Sequence, residues 1–425
     1  MSQHYDEVDV LAWLPRQSDA VLAGQILHDG DAASYCYDRT YLTLPDATPL
    51  FTADLPLSVD RLHPPAPHRV APTLRDALPD RWGRRVIAVA LSKSGQQPLH
   101  EDEIDDITLM LQTGSDRIGA LDFRRPNTVN SRDGSAPASL GELMALADLV
   151  GTGSPLPPSM HHLVAVAASV GGARPKSLFT DTARNRKFIA KFSIADDSYP
   201  VVCAEFVAMR LAALAGLNVA PVEIARIGDR DVLLVERFDR IRRQEGWWER
   251  KHMVSALTWT QADEMSARHI TYPQLAGIMD RMCKDPVADK EELFTRIVFN
   301  ILVGNTDDHA RNHAAFWDGR HLALTPAYDI LPQRRTTRTA NLAMALADGS
   351  RAAQLANAAA IAPVFGISGP AFRRIRERLV GTIVQHWLDV CDEAGLVQSE
   401  RAALVGCQLL NEFAFEGMGR PPRLR

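Results

Sequence analysis

The amino-acid sequence predicts an α+β fold of two lobes, with a mixed α/β N-terminal half and an all-α C-terminal half. Short apolar runs broken by turns, at residues 8–14, 20–27 and 41–44, favour strands near the N-terminus. After Phe238 the apolar residues recur at helical spacing, as they do in residues 292–303. This change of period near the middle of the chain separates the two halves.

Changes in composition divide the chain into four predicted segments. Residues 1–125 form a small α/β domain. Residues 126–160 form a connecting segment of polar, Ser-, Gly- and Pro-rich stretches around one short helix at 140–149. Residues 161–240 form an α/β region, and residues 241–425 form the helical lobe. We expect a cleft between these last two segments.

The bulk composition is that of a soluble globular protein. Of 425 residues, 46% are hydrophobic and 23% are charged, and the net charge of −5 gives no global basic field for nucleic acid. The five cysteines are widely spaced and form no C-x-x-C, which disfavours a disulfide scaffold or a thiolate zinc site. The chain shows neither a signal peptide nor an apolar run of membrane-spanning length. We therefore expect a cytoplasmic protein without a membrane partner.

The most informative segment is Gly-Asn-Thr-Asp-Asp-His-Ala-Arg-Asn-His at residues 304–313, which we call the Asp307 loop. Asp307 and Asn312 have the Asp-x-x-x-x-Asn spacing of a protein-kinase catalytic loop. In that loop the Asp takes the substrate hydroxyl proton and the Asn holds a magnesium ion. Asp329 follows a short strand-like run at 320–324 and is the expected second magnesium ligand. The pattern predicts phosphoryl transfer from ATP with Mg²⁺.

Further kinase features lie upstream in the order that a kinase requires. Lys191 ends a strand-like run and has the form of the lysine that binds the α- and β-phosphates. Glu205 lies at the start of the next predicted helix, residues 204–215, and is placed to form an ion pair with that lysine. The α/β half ends at Glu236, Arg237 and Phe238, where a kinase hinge would meet adenine.

Residues 169–176, which we call the glycine loop, precede the Lys191 strand. Small residues allow backbone N–H groups to approach a phosphate, and a lysine adds positive charge. The residues expected to contact nucleotide are Gly171, Gly172, Ala173, Arg174, Pro175 and Lys176. The loop differs from a Walker loop because Pro175 stands where a glycine would precede the lysine, and it does not have the kinase G-x-G-x-x-G pattern either.

Each of these features also has a purely structural explanation. Asp307 and Asn312 would cap a loop, and Lys191 would be a solvated charge at a strand end. Glu205 would be a first-turn acid that the helix dipole favours. Their agreement in order along the chain is what favours a kinase.

With these residues in place, the sequence resembles the HipA family of serine/threonine kinase toxins, which belong to type II toxin–antitoxin systems. The resemblance covers almost the whole chain and is carried by residues 119–123, 169–176, 205–211, 216–219, 235–240, 304–312 and 326–329. It implies a protein-kinase-like two-lobed HipA fold. It also implies a HipB-like antitoxin partner, DNA contact mainly through that antitoxin, and a protein substrate of the translation machinery, such as an aminoacyl-tRNA synthetase.

The resemblance also implies a role for each site residue. Asp307 would be the catalytic base, and Asn312 and Asp329 would bind magnesium. Lys191 and the glycine loop would hold the phosphates, and the backbone of Glu236, Arg237 and Phe238 would hold adenine. The remaining residues expected to line the nucleotide are His309, Ala310, Arg311 and Tyr328, together with Asn312 and Asp329. Ser169 would be an autophosphorylation site, whose modification silences the kinase.

Two alternatives from other classes remain at this stage. A metal-dependent hydrolase would ligate its metal through Asp307, Asp308, His309, His313 and Asp329. A non-catalytic corepressor would only bind an antitoxin on DNA. No role is predicted for Trp247 and Trp248 or for residues 252–261.

Overall fold

The computed structural model describes residues 7–29, 32–92, 99–128, 138–335, 337–347 and 349–424. The chain divides into two units. The first consists of Met1–Ile194, Ile227–Val254 and Phe316–Arg320. The second consists of Ala195–Arg226, Ser255–Ala315 and His321–Arg425.

The strands are short and lie mostly in the first unit. They are β1 (Glu7–Ala12), β2 (Val21–Asp29), β3 (Ala32–Tyr37), β4 (Leu121–Arg124), β5 (Lys176–Asp181), β6 (Arg186–Phe192), β7 (Val222–Ile227), β8 (Arg230–Glu236), β9 (Arg240–Arg242), β10 (Trp248–Arg250), β11 (Met253–Ser255), β12 (Ala314–Trp317) and β13 (Leu322–Leu324).

The longest helices lie in the second unit. The α-helices are α1 (Arg39–Leu42), α2 (Pro72–Arg75), α3 (Arg81–Leu91), α4 (Asp106–Gln112), α5 (Leu140–Thr152), α6 (Val164–Ala168), α7 (Val201–Leu214), α8 (Ala256–Trp259), α9 (Tyr272–Met282), α10 (Pro286–Val303), α11 (Leu355–Ile361), α12 (Gly369–Glu393) and α13 (Gln398–Cys407). Short 3₁₀ turns occur at Glu101–Glu103, Pro158–Leu163, Ala267–His269, Ala310–Asn312, Ala362–Phe365 and Glu412–Phe415. Among the described helices, none combines the length and apolar composition needed to span a bilayer.

The first sheet has the strand order β3-β2-β1-β4 and is antiparallel throughout. Val8 and Val10 on β1 and Ile26 on β2 are fully buried in its core. Asp9 is buried as well, and its carboxylate accepts hydrogen bonds from the side chains of Gln25 and Arg124. Because a buried carboxylate needs such partners, this sheet has both apolar and paired polar contacts in its interior.

A further sheet has the order β5-β6-β8-β7. Along β6 the side chains of Phe188, Ala190 and Phe192 are buried, and those between them, including Lys191, lie on the other face. This alternation is the period of a strand with one apolar face. The predicted Lys191 strand is therefore confirmed, and it is a central strand of its sheet.

The α+β class is confirmed, but two predictions about its elements are wrong. Residues 41–44 were expected to form a strand, whereas α1 ends at Leu42, and Asp38 caps this helix by accepting the N–H groups of Thr40 and Tyr41. The half after Phe238 is not purely helical, because it contains β9 to β13. These strands have three or four residues, which is too short for an alternating pattern to be visible in the sequence.

The helical predictions agree with the structure over most of their length. Residues 140–149 lie within α5, and residues 292–303 form the C-terminal part of α10. Apolar residues recur at helical spacing over residues 402–415, but α13 ends at Cys407. The segment boundaries at 125, 160 and 240 stay predictions, and residues 129–137 of the connecting segment lie outside the described residues.

A buried cluster of charged side chains joins residues 116–122 to the chain after β8 within the first unit. Arg237 and Arg240 both donate to Asp239 Oδ2, at 2.7 and 2.8 Å, and the Gly119 N–H donates to the same atom at 2.8 Å. Arg240 also donates to Asp116 Oδ1 at 3.0 Å. We call Asp116, Arg237, Asp239 and Arg240 the buried charge cluster. It gives two distant parts of the sequence one shared polar core.

The buried charge cluster predicts a loss of stability in acid. Burial alone would raise the pKa of Asp239, but Arg237 and Arg240 outweigh it and lower this pKa to about 2. A carboxyl with a lowered folded-state pKa stabilises the fold above its unfolded value and loses that contribution as pH falls. We expect the free energy of unfolding to decrease between about pH 4 and pH 2. Urea unfolding across this range checks it, and a flat profile would contradict it.

Candidate active site

The Asp307 loop begins at a helix end that only glycine can form. Gly304 follows α10 with φ of +73°, and a Cβ atom there would stand 2.8 Å from the carbonyl oxygen of Gln408. A side chain is therefore disfavoured by both conformation and space. The Asn305 N–H then donates to the Asn300 carbonyl at 2.9 Å. The turn fixes where the loop leaves the helix.

Within the loop the chain folds back so that Asn312 reaches Asp307. The His309 N–H donates to the Asp307 carbonyl, and the Asn312 N–H donates to the His309 carbonyl, each at 2.9 Å. The Asn312 side-chain amide donates to the Asp307 carbonyl at 3.2 Å. Asn312 is buried, whereas Asp307 is exposed. The predicted spacing thus places an exposed carboxylate beside a fixed amide.

Asp308 holds the loop from its buried side. Its carboxylate accepts a hydrogen bond from the Tyr272 hydroxyl at 2.6 Å. It is also hydrogen-bonded to Nε2 of His313 at 3.1 Å. Burial would raise the pKa of Asp308, but His313 and these hydrogen bonds lower it. Burial and this carboxylate together raise the pKa of Tyr272 well above its usual value. Asp308 is therefore a structural carboxylate, while its neighbour Asp307 faces solvent.

Asp329 reaches the same part of the second unit by a different route. The Ala327 N–H donates to the Asn218 carbonyl at 2.7 Å, and the Ala220 N–H donates to the Ala327 carbonyl at 2.9 Å. Two residues later the chain passes through Asp329 in the left-handed region, with φ of +59°. Asp adopts this conformation more readily than most residues with a side chain. The parallel bridge and the left-handed turn together set the position of this carboxylate.

Asp307 and Asp329 are close enough to interact electrostatically. The hydroxyl of Tyr328 donates to the Arg311 carbonyl at 2.7 Å and so joins the two loops. Partial loss of hydration raises the pKa of Asp307, the neighbouring His309 opposes this, and the negative charge of Asp329 raises it further. Like charges held together in this way favour either a proton or a cation between them. The second unit thus gathers every residue predicted for the base and the metal.

The glycine loop lies in the first unit, at the start of β5. Lys176 and Lys191 are direct cross-strand partners on the antiparallel pair of β5 and β6. Gly172 has φ of +109°, and the Lys176 ammonium occupies the space that a Cβ there would need. Two lysines and a glycine backbone therefore lie together. Of the others, Gly171 and Arg174 are half-buried, Ala173 is exposed and Pro175 is buried.

Ser169 is buried at the N-terminal end of the glycine loop. Its hydroxyl donates to the Ala165 carbonyl at 2.5 Å and accepts the Gly114 N–H at 3.1 Å. Only 7% of the residue is exposed. The hydroxyl must leave these partners before any chemistry can occur on it.

The side chains of the predicted hinge make structural contacts. Both carboxylate oxygens of Glu236 accept hydrogen bonds from Arg186, and the guanidinium of Arg237 belongs to the buried charge cluster. The Arg237 N–H donates to the Lys187 carbonyl at 2.9 Å. How this segment would contact adenine therefore stays a prediction.

Two further predictions concern the Lys191–Glu205 ion pair and the hydrolase alternative. Lys191 belongs to the first unit and Glu205, buried on α7, to the second, so their ion pair stays a prediction. The hydrolase alternative counted Asp308 and His313 among its possible metal ligands, but these two side chains are hydrogen-bonded to each other. Among the described residues, no group of three or more His, Cys, Asp and Glu side chains is arranged to hold a metal ion.

Comparison with known families identifies the chain. A model of the HipA-like C-terminal domain matches residues 168–387, more than half of the sequence, and a model of the HipA N-terminal domain matches residues 17–124. The chain belongs to the HipA family. The first matched range contains Asp307, Asn312 and Asp329, and the second covers most of the α/β domain predicted at residues 1–125.

Two relatives of this HipA-family chain are named as kinases, one of them provisionally. It is 28% identical over 335 residues to Y4mE of Sinorhizobium fredii, which bears a provisional kinase name, covering 74% of this chain and 75% of that protein. It is 30% identical over 188 residues to the serine/threonine-protein kinase toxin HipA of Shewanella oneidensis, covering 38% of this chain and 42% of that protein. Kinase activity is thus supported at the level of the family.

A solved structure shares the fold. HipA of Shewanella oneidensis MR-1, determined in a complex with HipB and operator DNA, matches with a TM-score of 0.69 and 21% identity, covering 93% of this chain and 95% of that one. At this identity the match establishes the fold alone. The predicted kinase-like HipA fold is confirmed.

Sequence reasoning missed several residues that shape the site. Tyr272 lies 36 residues from its partner Asp308. Asp80 and Trp82 contact the glycine loop from α3, although the sequence offered no motif at these positions. Trp248, left without a role, has its ring below the charged ends of Lys187 and Arg242. Contacts of this kind become visible only once the chain is folded.

Proposed function

We propose that this chain is an ATP-dependent serine/threonine protein kinase that acts as the toxin of a toxin–antitoxin pair. The observation that carries the proposal is the meeting of Asp307, Asn312 and Asp329 within the second unit. Kinase relatives in the HipA family agree with it. The reaction moves the γ-phosphoryl group of ATP to a Ser or Thr hydroxyl of a protein and leaves ADP.

Asp307 is the base in this proposal. Its carboxylate faces solvent, where a substrate hydroxyl can approach, while its backbone is held by Asn312. Its raised pKa makes it a better proton acceptor than an ordinary carboxylate. It accepts the hydroxyl proton as the oxygen bonds to phosphorus.

The same group of residues fits a divalent cation. Carboxylate and amide oxygens are the ligands that Mg²⁺ prefers, and two neighbouring carboxylates raise each other's pKa unless a cation offsets their charge. Asn312 and Asp329 would hold the ion, which when bound neutralises charge on the phosphates. In the first unit, the positive charges of the cross-strand pair Lys176 and Lys191 would bind phosphate oxygens.

Transfer of label from γ-labelled ATP tests the proposed activity. The purified chain is incubated with labelled ATP, Mg²⁺ and cell lysate, and labelled proteins are identified with their phosphorylated residues. We expect label on Ser or Thr of a translation protein. A chain that binds ATP but labels no protein, in lysates from several growth conditions, would contradict the kinase proposal.

An antitoxin partner is part of the proposal. The structurally similar HipA of Shewanella oneidensis was solved with HipB and operator DNA. By that likeness, this chain binds a HipB-like antitoxin and reaches DNA mainly through it. The corepressor role considered earlier is compatible with kinase activity in such a complex.

We also propose that Ser169 is autophosphorylated and that this modification inactivates the kinase. A phosphate adds about two negative charges, which the buried site between Ala165 and Gly114 cannot hold, so the glycine loop must move. Ser169→Ala is expected to keep its initial rate and to continue working while the wild type slows. Phosphate mapping by mass spectrometry with activity time courses checks this, with Ser154→Ala, outside the loop, as the control. Wild-type autophosphate at another residue would contradict it.

A further inference from the structure

The first turn of α3 contacts the glycine loop at two points, in its middle and at its C-terminal end. The Trp82 N–H donates to the Gly172 carbonyl at 2.9 Å, and its indole N–H donates to the Lys176 carbonyl at 2.8 Å. Asp80 Oδ2 accepts the Gly172 N–H at 2.8 Å. The N–H and the carbonyl group of Gly172 are thus both hydrogen-bonded to the first turn of α3. The contacts join residues 90 or more positions apart.

The packing around these bonds is close. A Cβ atom on Gly171 would stand 2.6 Å from Asp80 Oδ2, so a side chain there would displace the carboxylate. A Cβ atom on Gly83 would stand 2.5 Å from the Ala168 carbonyl oxygen, just before the loop. Trp82 is 3% exposed. Glycines on both partners therefore permit an approach that any larger residue would prevent.

Asp80 is used here for the loop rather than for its own helix. It occupies the N-cap position of α3, where an Asp side chain ordinarily accepts N–H groups of the first turn. Within the described first turn of α3, its side chain makes no capping hydrogen bond. Its carboxylate instead bonds the Gly172 N–H. The Asp80 side chain therefore orients the Gly172 peptide of the loop instead of capping α3.

We propose that Asp80 and Trp82 are positioning residues that hold the glycine loop in the conformation that binds the triphosphate. The leading α/β domain thereby takes part in nucleotide binding without touching the nucleotide. This inference rests on the proposed kinase function. In free solution a glycine-containing loop samples many conformations. The entropy lost when the loop is ordered lowers its affinity for an anion that binds only one of them. Fixing the Gly172 peptide from α3 removes that cost in advance.

Variants of Asp80 separate positioning from charge. Asp80→Ala removes the acceptor, and we expect the KM for ATP to rise roughly tenfold or more, the size of one lost charge-assisted hydrogen bond, with kcat changed less than about threefold. Asp80→Asn keeps an acceptor oxygen without the charge and is expected to restore most of the affinity. Glu101→Gln, which alters an exposed pair with Arg81, is the control.

A second measurement follows the loop itself. Hydrogen exchange at residues 170–175 is expected to be faster in Asp80→Ala than in the wild type, with the melting temperature nearly unchanged. Trp82→Phe removes the indole N–H bond to Lys176 together with part of a buried ring, and it should raise the KM in the same direction. A wild-type KM in Asp80→Ala would overturn the inference. So would a lower KM, because it would mean that the carboxylate competes with phosphate.

Binding of a fluorescent ATP analogue, measured by anisotropy, distinguishes this inference from the proposed function. If the wild type binds the analogue and Asp80→Ala binds it at least tenfold more weakly, the positioning role stands even where no protein is phosphorylated. If the wild type phosphorylates protein but both chains bind the analogue equally, the kinase proposal stands and the positioning role fails. If the wild type does not bind the analogue, both fail.

Discussion

Asp307→Asn is expected to reduce phosphoryl transfer by about three orders of magnitude without unfolding the chain, since a positioned general base contributes roughly 10²–10⁴-fold. Asparagine has nearly the same shape but cannot accept the hydroxyl proton. The Asp307 side chain is exposed, and the loop contacts run through its carbonyl and through the neighbouring Asp308. Removing the carboxylate therefore affects chemistry far more than stability.

The measurement compares initial rates of label transfer with urea unfolding of the same preparations. Asp389→Asn, an exposed acid on α12, is the matched control and should retain full activity. Asp329→Asn is also expected to lose activity, with a higher requirement for Mg²⁺, because a ligand is lost rather than a base. Substantial turnover by Asp307→Asn would refute its assignment as the base.

Replacing Asp308 provides an informative contrast. This carboxylate is buried and bonded to Tyr272 and His313, so its loss would leave two buried polar groups without their acceptor. Adjacent aspartates in one loop thus have separate tasks, one exposed to the reaction and one internal to the fold. The sequence presents them as a simple pair, and only burial distinguishes them.

The residues proposed to carry chemistry form a recognisable pattern in the sequence because reaction geometry would constrain their spacing. Asp307 and Asn312 must approach one phosphate from a single loop, and Lys191 must end a strand. Such constraints leave a pattern in one short segment each. The helix that supports the loop, α10, was equally visible because its apolar face repeats over several turns.

The features that could not be predicted from the sequence depend on contacts between distant segments. The bond from Gly172 to Asp80 and the bond from Asp308 to Tyr272 leave no local pattern, since either residue alone looks like a loop acid or a core aromatic. Residues 41–44 have apolar alternation, yet the Asp38 cap and the tertiary contacts of Tyr41 favour a helix. Local propensity was outweighed there by capping and packing.

Asp239→Asn is expected to produce the largest loss of stability in the first unit. Asp239 accepts from Arg237 and Arg240, whose side chains are each 1% exposed. Removing one partner of a buried ion pair leaves an uncompensated charge and costs about 3–5 kcal/mol. Urea unfolding measures it. Asp148→Asn, which breaks an exposed pair with Arg230, should cost less than about 1 kcal/mol. Equal losses in the two variants would contradict the prediction.

Asp239→Asn is expected to be destabilising because of the balance of charge around the buried charge cluster. Besides Arg237 and Arg240, the cations Lys187 and Arg250 lie near Asp116, so positive charge already exceeds negative charge there. Burial, and then repulsion by Arg240, lowers the pKa of Arg250 to about 9. Losing a carboxylate increases this excess, whereas losing Arg250 reduces it. Arg250→Met, which keeps an apolar stem near Trp13, should therefore destabilise the chain far less than Asp239→Asn, although both remove one charge.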